Sequence, residues 1–135
     1  MAAAAASHVV VIDDHALFSL AVAVALEAGG RHVRALEVAD LGREAAMIEA
    51  ALTPPPDIAL VDLDLGRYGD GRRLIRPLTR AGVDVVVVSA IPDPRDHELC
   101  LRRGARAVLT KDRPLEELVA LVESLEQERR PVLDT

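Results

Sequence analysis

Aromatic and thiol side chains are almost missing from this 135-residue chain, which holds one Phe, one Tyr, no Trp and one Cys. A core without aromatics has to be built from Val, Leu, Ile and Ala, which suits a closely packed parallel sheet covered by helices. A single cysteine, Cys100, excludes an internal disulfide and makes a reducing cytoplasm the expected compartment. No apolar run approaches the roughly 20 residues of a membrane span, so no membrane segment is expected. Met1 to Ala6 has no basic stretch and no long apolar core behind it, which argues against a signal peptide; residues 1–7 read as a frayed terminus. Lysine is scarce too: among 16 basic residues only Lys111 is one. The net charge of −6 speaks against this chain itself gripping a nucleic-acid backbone.

What is present is a series of short apolar runs, each ending in a reactive side chain. Val9 to Ile12 stops at Asp13-Asp14, Ile58 to Val61 at Asp62, Val85 to Val88 at Ser89, and Ala107 to Leu109 shortly before Lys111. Runs of this length, rich in β-branched residues, read as strands buried on both faces. Arg31 to Val38 alternates weakly and fits a further strand nearer an edge.

Helical spacing fills the gaps between the runs. His15 to Ala28 carries Leu17, Leu20, Ala21, Val24 and Ala28 on one stripe and stops at Gly29-Gly30. Asp40 can cap a second helix running to Leu52, with Ala45, Met47, Ile48 and Leu52 inward, before Pro54-Pro55-Pro56 ends it. Arg72 to Ala81 forms a third, in which Pro77 should distort the helix or move its start. Pro94 to Arg103 forms a fourth, anchored by Leu99 and Leu101. A fifth begins near Pro114 with Leu115, Leu118, Val119, Val122 and Leu125 inward. Five strand–helix units imply a three-layer α/β fold: a five-stranded parallel sheet in flavodoxin-like order 2-1-3-4-5 with five helices. One domain is expected over residues 8–127, with 128–135 a linker or tail and Arg129-Arg130 solvated.

That order brings the reactive ends to one rim. Asp62 lies centrally, with Asp13-Asp14 on one neighbouring strand and Ser89 on the other, since strands stand ~4.8 Å apart. The end of the fifth strand is then about 10 Å from Asp62, a gap that a lysine side chain crosses for the most part. Crowded carboxylates call for a cation, and an oxygen-rich site favours a hard one such as Mg²⁺. Phosphoryl transfer needs charge neutralisation and alignment above all. Asp62 is the expected nucleophile, giving an aspartyl phosphate, with the metal, Lys111 and the Ser89 hydroxyl holding the phosphoryl oxygens.

The segments Val10-Val11-Ile12-Asp13-Asp14-His15, Leu60-Val61-Asp62-Leu63-Asp64-Leu65, Val87-Val88-Ser89-Ala90 and Gly104 to Asp112 together resemble the receiver domain of bacterial two-component response regulators. The resemblance covers Ser7 to Gln127. It implies that Asp62 is the phosphoacceptor for a sensor histidine kinase. It implies also that Asp13, Asp14 and Asp62 hold Mg²⁺ together with the Asp64 backbone carbonyl, that Ser89 is the switch hydroxyl, and that Lys111 contacts the phosphate. Lys111-Asp112, in place of Lys-Pro, is similar to the branch that carries a LuxR-type helix-turn-helix. The implied output is therefore transcription, through a DNA-binding domain absent from this chain, and a homodimer is a further implied partner.

Three departures from the family pattern stand out: Gly66 where proline is usual, with one extra residue and Tyr68 in the Gly66 to Gly71 loop; Val108 where an aromatic switch residue is common; and Pro77. A runner-up reading is enzymatic. Leu60-Val61-Asp62-Leu63-Asp64 also resembles the Asp-x-Asp motif of haloacid-dehalogenase-type phosphatases, although that motif normally ends the first strand and the chain is short for the fold. A degenerate receiver serving only as a binding module is the third. The leading reading is a signalling switch and not an enzyme. His8, His15, His32 and His97 lack zinc spacing, but His15 adjoins the acidic pocket and could tune it.

Overall fold

The computed structural model describes residues 6–90 and 93–129. Five strands, β1 (His8–Ile12), β2 (His32–Ala35), β3 (Ile58–Val61), β4 (Asp84–Ser89) and β5 (Ala107–Thr110), form one sheet in the order β2-β1-β3-β4-β5. All four pairings are parallel. Six α-helices cover it: α1 (Ala16–Glu27), α2 (Val38–Leu41), α3 (Glu44–Ala51), α4 (Arg72–Arg80), α5 (Pro94–Arg102) and α6 (Leu115–Arg129).

Strand alternation sorts the core into two layers. Val9, Val11, Ile58, Leu60, Val86 and Val88 face α1 and α6, meeting Val22, Leu26, Leu118, Val122 and Leu125. Val10, Ile12, Ala59, Val61, Val85 and Val87 face the other helices, meeting Met47, Ala51, Leu74, Ile75, Leu78 and Cys100. Because β1, β3 and β4 are covered on both sides, they read as unbroken apolar runs. Their polar ends are thereby forced to the rim.

Several expectations need correction. The expected second helix is two helices, making six in place of five: Gly42 takes φ 75°, closing α2, and α3 restarts at Glu44. Asp40 caps nothing; Glu37 precedes α2 without a side-chain cap. The α1 stripe of Leu17, Leu20 and Val24 does not face the core. The helix buries Ser19, Val22 and Leu26 and leaves Leu17 84%, Leu20 60% and Val24 60% exposed. A helix apolar almost all round offers two stripes, and only packing chooses between them. On α5 the buried anchor is Cys100, while Leu101 is exposed. The helix α4 starts at Arg72 and runs through Pro77, which removes one intrahelical donor. The last helix passes the expected boundary at Gln127 and includes Arg129, which pairs with Asp84 at 3.1 Å and Asp57 at 3.7 Å. Arg129 is therefore not part of a solvated linker. Residues 130–135 and most of the expected frayed terminus lie outside the described residues.

Candidate functional site

The rim residues meet as the strand order requires. Asp62 follows β3 and is held by its own N–H donating to the Ile12 carbonyl at 2.9 Å. Its side chain is 2% exposed, and that of Asp13, after β1, is 3% exposed. Lys111 arrives from beyond β5, where its backbone N–H donates to the Ser89 carbonyl at 2.9 Å. Its ammonium lies 2.8 Å from Asp13 Oδ2 and 3.0 Å from Asp62 Oδ2. The other Asp62 oxygen, Oδ1, accepts the Asp64 backbone N–H at 3.2 Å.

Burial pushes the Asp62 carboxyl above the usual carboxylate range, and the Asp13 charge adds to this. Lys111 and the Asp64 N–H oppose it without cancelling it. For Lys111, burial pulls the ammonium down, but its bonds to Asp13 and Asp62 outweigh that and hold it above its ordinary value. The pocket is short of positive charge, with one ammonium facing a cluster of carboxylates.

Sequence reading places His15 beside the acidic pocket, but its inward ring nitrogen and the part played by Phe18 come from the structure alone. His15 Nδ1 points into the cluster, 3.1 Å from Asp13 Oδ1, 3.3 Å from Asp14 Oδ1, 3.5 Å from Asp62 Oδ2 and 2.9 Å from Lys111 Nζ. Phe18, on the first turn of α1, lies under the Lys111 ammonium at 4.8 Å from the ring centroid, a cation–π support for the lysine stem's course. The only sequence signals for these were proximity to Asp14 and the rarity of aromatics. Asp13-Asp14 do not cap α1 with a side chain; Asp13 Oδ1 instead accepts the His15 backbone N–H at 2.8 Å.

Ser89 is buried at the end of β4 and lines one pocket with Asp62, Asp64, Arg72 and Asp96. Asp64 turns its own carboxylate to the Gly66 N–H at 2.9 Å, so its side chain shapes the loop. Gly66 has φ 62°, a conformation closed to proline, which explains why this loop departs from the usual pattern. Val108 is half-buried on β5 beside Val87.

Arg72 begins α4 with a two-pronged bond to Asp96 of α5, at 2.7 and 2.6 Å, and a third to Asp70 at 2.9 Å. These bonds hold its guanidinium well above its ordinary pKa, burial notwithstanding. The second cation of the pocket is thus committed to its own carboxylates.

One oxygen or nitrogen each from Asp13, Asp14, His15 and Asp62 lies within 4.8 Å of the others. Ligands adjacent around a small octahedral ion stand about 3 Å apart. The spacings from His15 Nδ1, at 3.1 to 3.5 Å, are close to that, so the residues present fit a divalent cation.

Comparison with known proteins agrees with this geometry. The sequence model of the response regulator receiver domain matches residues 9–123, and the chain belongs to that family. Among solved structures it is similar to the signal receiver domain of the response regulator NarL from Mycobacterium tuberculosis. That match has 28% identity and a TM-score of 0.77, covering 93% of this chain and 100% of that one. A two-component response regulator from Clostridium difficile superimposes with a TM-score of 0.81 at 18% identity, covering 93% and 99%. A response regulator from Burkholderia pseudomallei, solved with a phosphorylated aspartic acid, a calcium ion and citrate, gives 0.72 at 23%, covering 95% and 77%. No curated protein sequence matches the chain. No helix among the described residues is long and apolar enough to cross a membrane.

Proposed function

We propose that the chain is a phosphorylation-driven switch, in which Asp62 accepts a phosphoryl group from the phosphohistidine of a sensor kinase. The observation that carries this is the Asp62 carboxylate, buried at the central strand's end with Lys111 Nζ at 3.0 Å and Asp13, Asp14 and His15 gathered around it. An Asp62 oxygen attacks phosphorus, the P–N bond breaks, and the imidazole leaves with the bonding pair. No general base is needed, because the nucleophile is already an anion. Lys111 moves from the carboxylates toward the phosphoryl oxygens and offsets their charge. The Ser89 hydroxyl, on the same pocket wall, donates to another. A divalent ion held by Asp13, Asp14 and Asp62, with the Asp64 carbonyl as a further ligand, supplies the remaining positive charge when bound. Mg²⁺ is the expected ion and the cytoplasm the expected compartment. Control of transcription through a LuxR-type DNA-binding domain is the output that Lys111-Asp112 suggests.

Incubation with acetyl phosphate and Mg²⁺ tests the reading: intact mass rises by one phosphoryl group, and a chelator prevents it. A folded protein that gains no mass, or that instead releases phosphate from a monoester over many turnovers in a reaction dependent on Asp64, supports the binding-module or phosphatase reading.

The exposed Leu17, Leu20 and Val24 of α1 form an apolar face on the helix that begins at the pocket mouth with His15. A kinase domain delivering a phosphohistidine to Asp62 has to approach over that mouth, so this face is its proposed seat. Leu20→Asp is expected to slow transfer from the cognate kinase at least about tenfold, the cost of one anchor residue, and to leave acetyl phosphate labelling unchanged. Equal slowing of both would place the defect in the pocket.

A further inference from the structure

We infer that His15 is a nitrogen ligand of the cation site that strengthens binding of borderline divalent ions such as Co²⁺ while contributing little to binding of Mg²⁺. This rests on the proposed reading that Asp13, Asp14 and Asp62 hold a divalent ion, and it adds a donor that the all-oxygen expectation lacked.

Three observations carry it. First, the His15 side chain is 59% exposed, so nothing in the packing forbids its ring from facing solvent. Yet Nδ1 turns inward and lies within 3.5 Å of oxygens from three aspartates. Second, the backbone anchors the residue at the pocket. His15 is the N-cap of α1 with φ −92° and ψ 99°, and its N–H is bound to Asp13 Oδ1 at 2.8 Å. The same oxygen lies 3.1 Å from ring Nδ1. Third, Lys111 Nζ sits 2.9 Å from the same Nδ1 while bound to Asp13 and Asp62. The ring nitrogen therefore stands where these carboxylates already hold one cation.

Asp13, Asp14, Asp62 and His15 would hold the ion, and Lys111, bound to Asp62 at 3.0 Å, would remain available to the phosphoryl group. The other histidines are elsewhere. His8 and His32 stack on each other at the opposite end of the sheet, and His97 is exposed on α5.

The chemistry then sets the preference. Imidazole nitrogen suits first-row transition ions, whose affinity for such donors rises from Mn²⁺ through Co²⁺. Mg²⁺ prefers oxygen and keeps its waters. A nitrogen ligand therefore contributes much to Co²⁺ binding and little to Mg²⁺ binding.

The test is calorimetric titration of the metal-free protein with Co²⁺ and with Mg²⁺, for the wild type and His15→Ala. Electron spin-echo spectroscopy of the Mn²⁺-loaded wild type accompanies it. His15→Ala is expected to weaken Co²⁺ by about tenfold or more while Mg²⁺ stays within about twofold, and the Mn²⁺ spectrum shows ¹⁴N coupling that the variant loses. Equal weakening of both ions, or a wild-type spectrum without ¹⁴N coupling, overturns the inference and leaves the phosphorylation reading intact. Failure of the wild type to bind any of the three ions at millimolar concentration overturns both.

Discussion

The Asp62→Asn protein is expected to take up no phosphoryl group from acetyl phosphate in the presence of Mg²⁺ and, in metal-free buffer at neutral pH, to melt above the wild type. The two effects have one cause. Asp62 is a buried anion beside another, and its carboxyl is raised by burial first and by Asp13 second. Asparagine keeps the shape and an oxygen for Lys111 but removes the charge, and with it the nucleophile. Relief at functional sites of this kind is commonly about 1 kcal/mol, which corresponds to roughly 4 °C for a domain of this size.

The pH dependence has a definite sign. With its folded-state pKa above the unfolded value, Asp62 gives the native state the larger share of protons between the two. Its contribution to stability is therefore present at low pH and lost as pH rises through the folded pKa. The advantage of asparagine is accordingly greatest at neutral pH and fades below about pH 4, the ordinary carboxylate value. Mg²⁺ acts in the opposite direction, stabilising the wild type by about 2.7 kcal/mol at a hundred times its dissociation constant and the variant far less. Thermal melts from about pH 3 to pH 8, with and without Mg²⁺, check all three statements. A variant less stable than wild type at pH 7 contradicts the charge-crowding account.

Gly71→Ala is expected to cost about 3 kcal/mol, at the upper end for overpacking, and to lower the melting temperature by roughly 12 °C. Gly71 is the N-cap of α4, where glycine is preferred over alanine, but that preference supplies only a part of the loss. Nor is the backbone the reason, because Gly71 has φ −60°, which any residue adopts. Space decides it. An added Cβ would stand 1.9 Å from the Asp62 carbonyl oxygen and 2.8 Å from Leu63 Cα, both backbone atoms that cannot swing aside. The Gly71 N–H also donates to the Leu63 carbonyl at 2.9 Å, so α4 is seated directly on the strand end that carries Asp62. Chemical denaturation measures the loss, and a neutral or stabilising substitution would show that this close approach does not exist. Gly30, with φ 88° and nothing near its Cβ position, is the contrast: alanine there meets only the strain of the left-handed region, about 1 kcal/mol.

The strands could be read from the chain because burial on both faces leaves an uninterrupted apolar run with a polar stop. The four stops, Asp13-Asp14, Asp62, Ser89 and Lys111, then followed from strand order. What escaped depends on contacts that periodicity does not encode. The face of α1 was ambiguous because Leu17, Leu20 and Val24 compete with Phe18, Val22 and Leu26 on an almost wholly apolar helix. The break between α2 and α3 turns on Gly42 at φ 75°, and a glycine inside a helical pattern reads alike whether it bends the chain or not. On α5, spacing pointed to leucines where packing chose Cys100. The inward ring nitrogen of His15 and the roles of Phe18, Gly71 and Arg72 are tertiary facts. Each arises where residues distant in the chain meet at the rim.

Reductive trapping of the phosphorylated protein tests the central claim most directly. Borohydride cleaves an acyl phosphate and leaves homoserine where the modified aspartate stood, and peptide mass mapping locates it. The account predicts homoserine at position 62 alone, dependent on both phosphodonor and divalent ion. Homoserine at 13, 14 or 64, or none in a protein shown to be folded and metal-loaded, would contradict it.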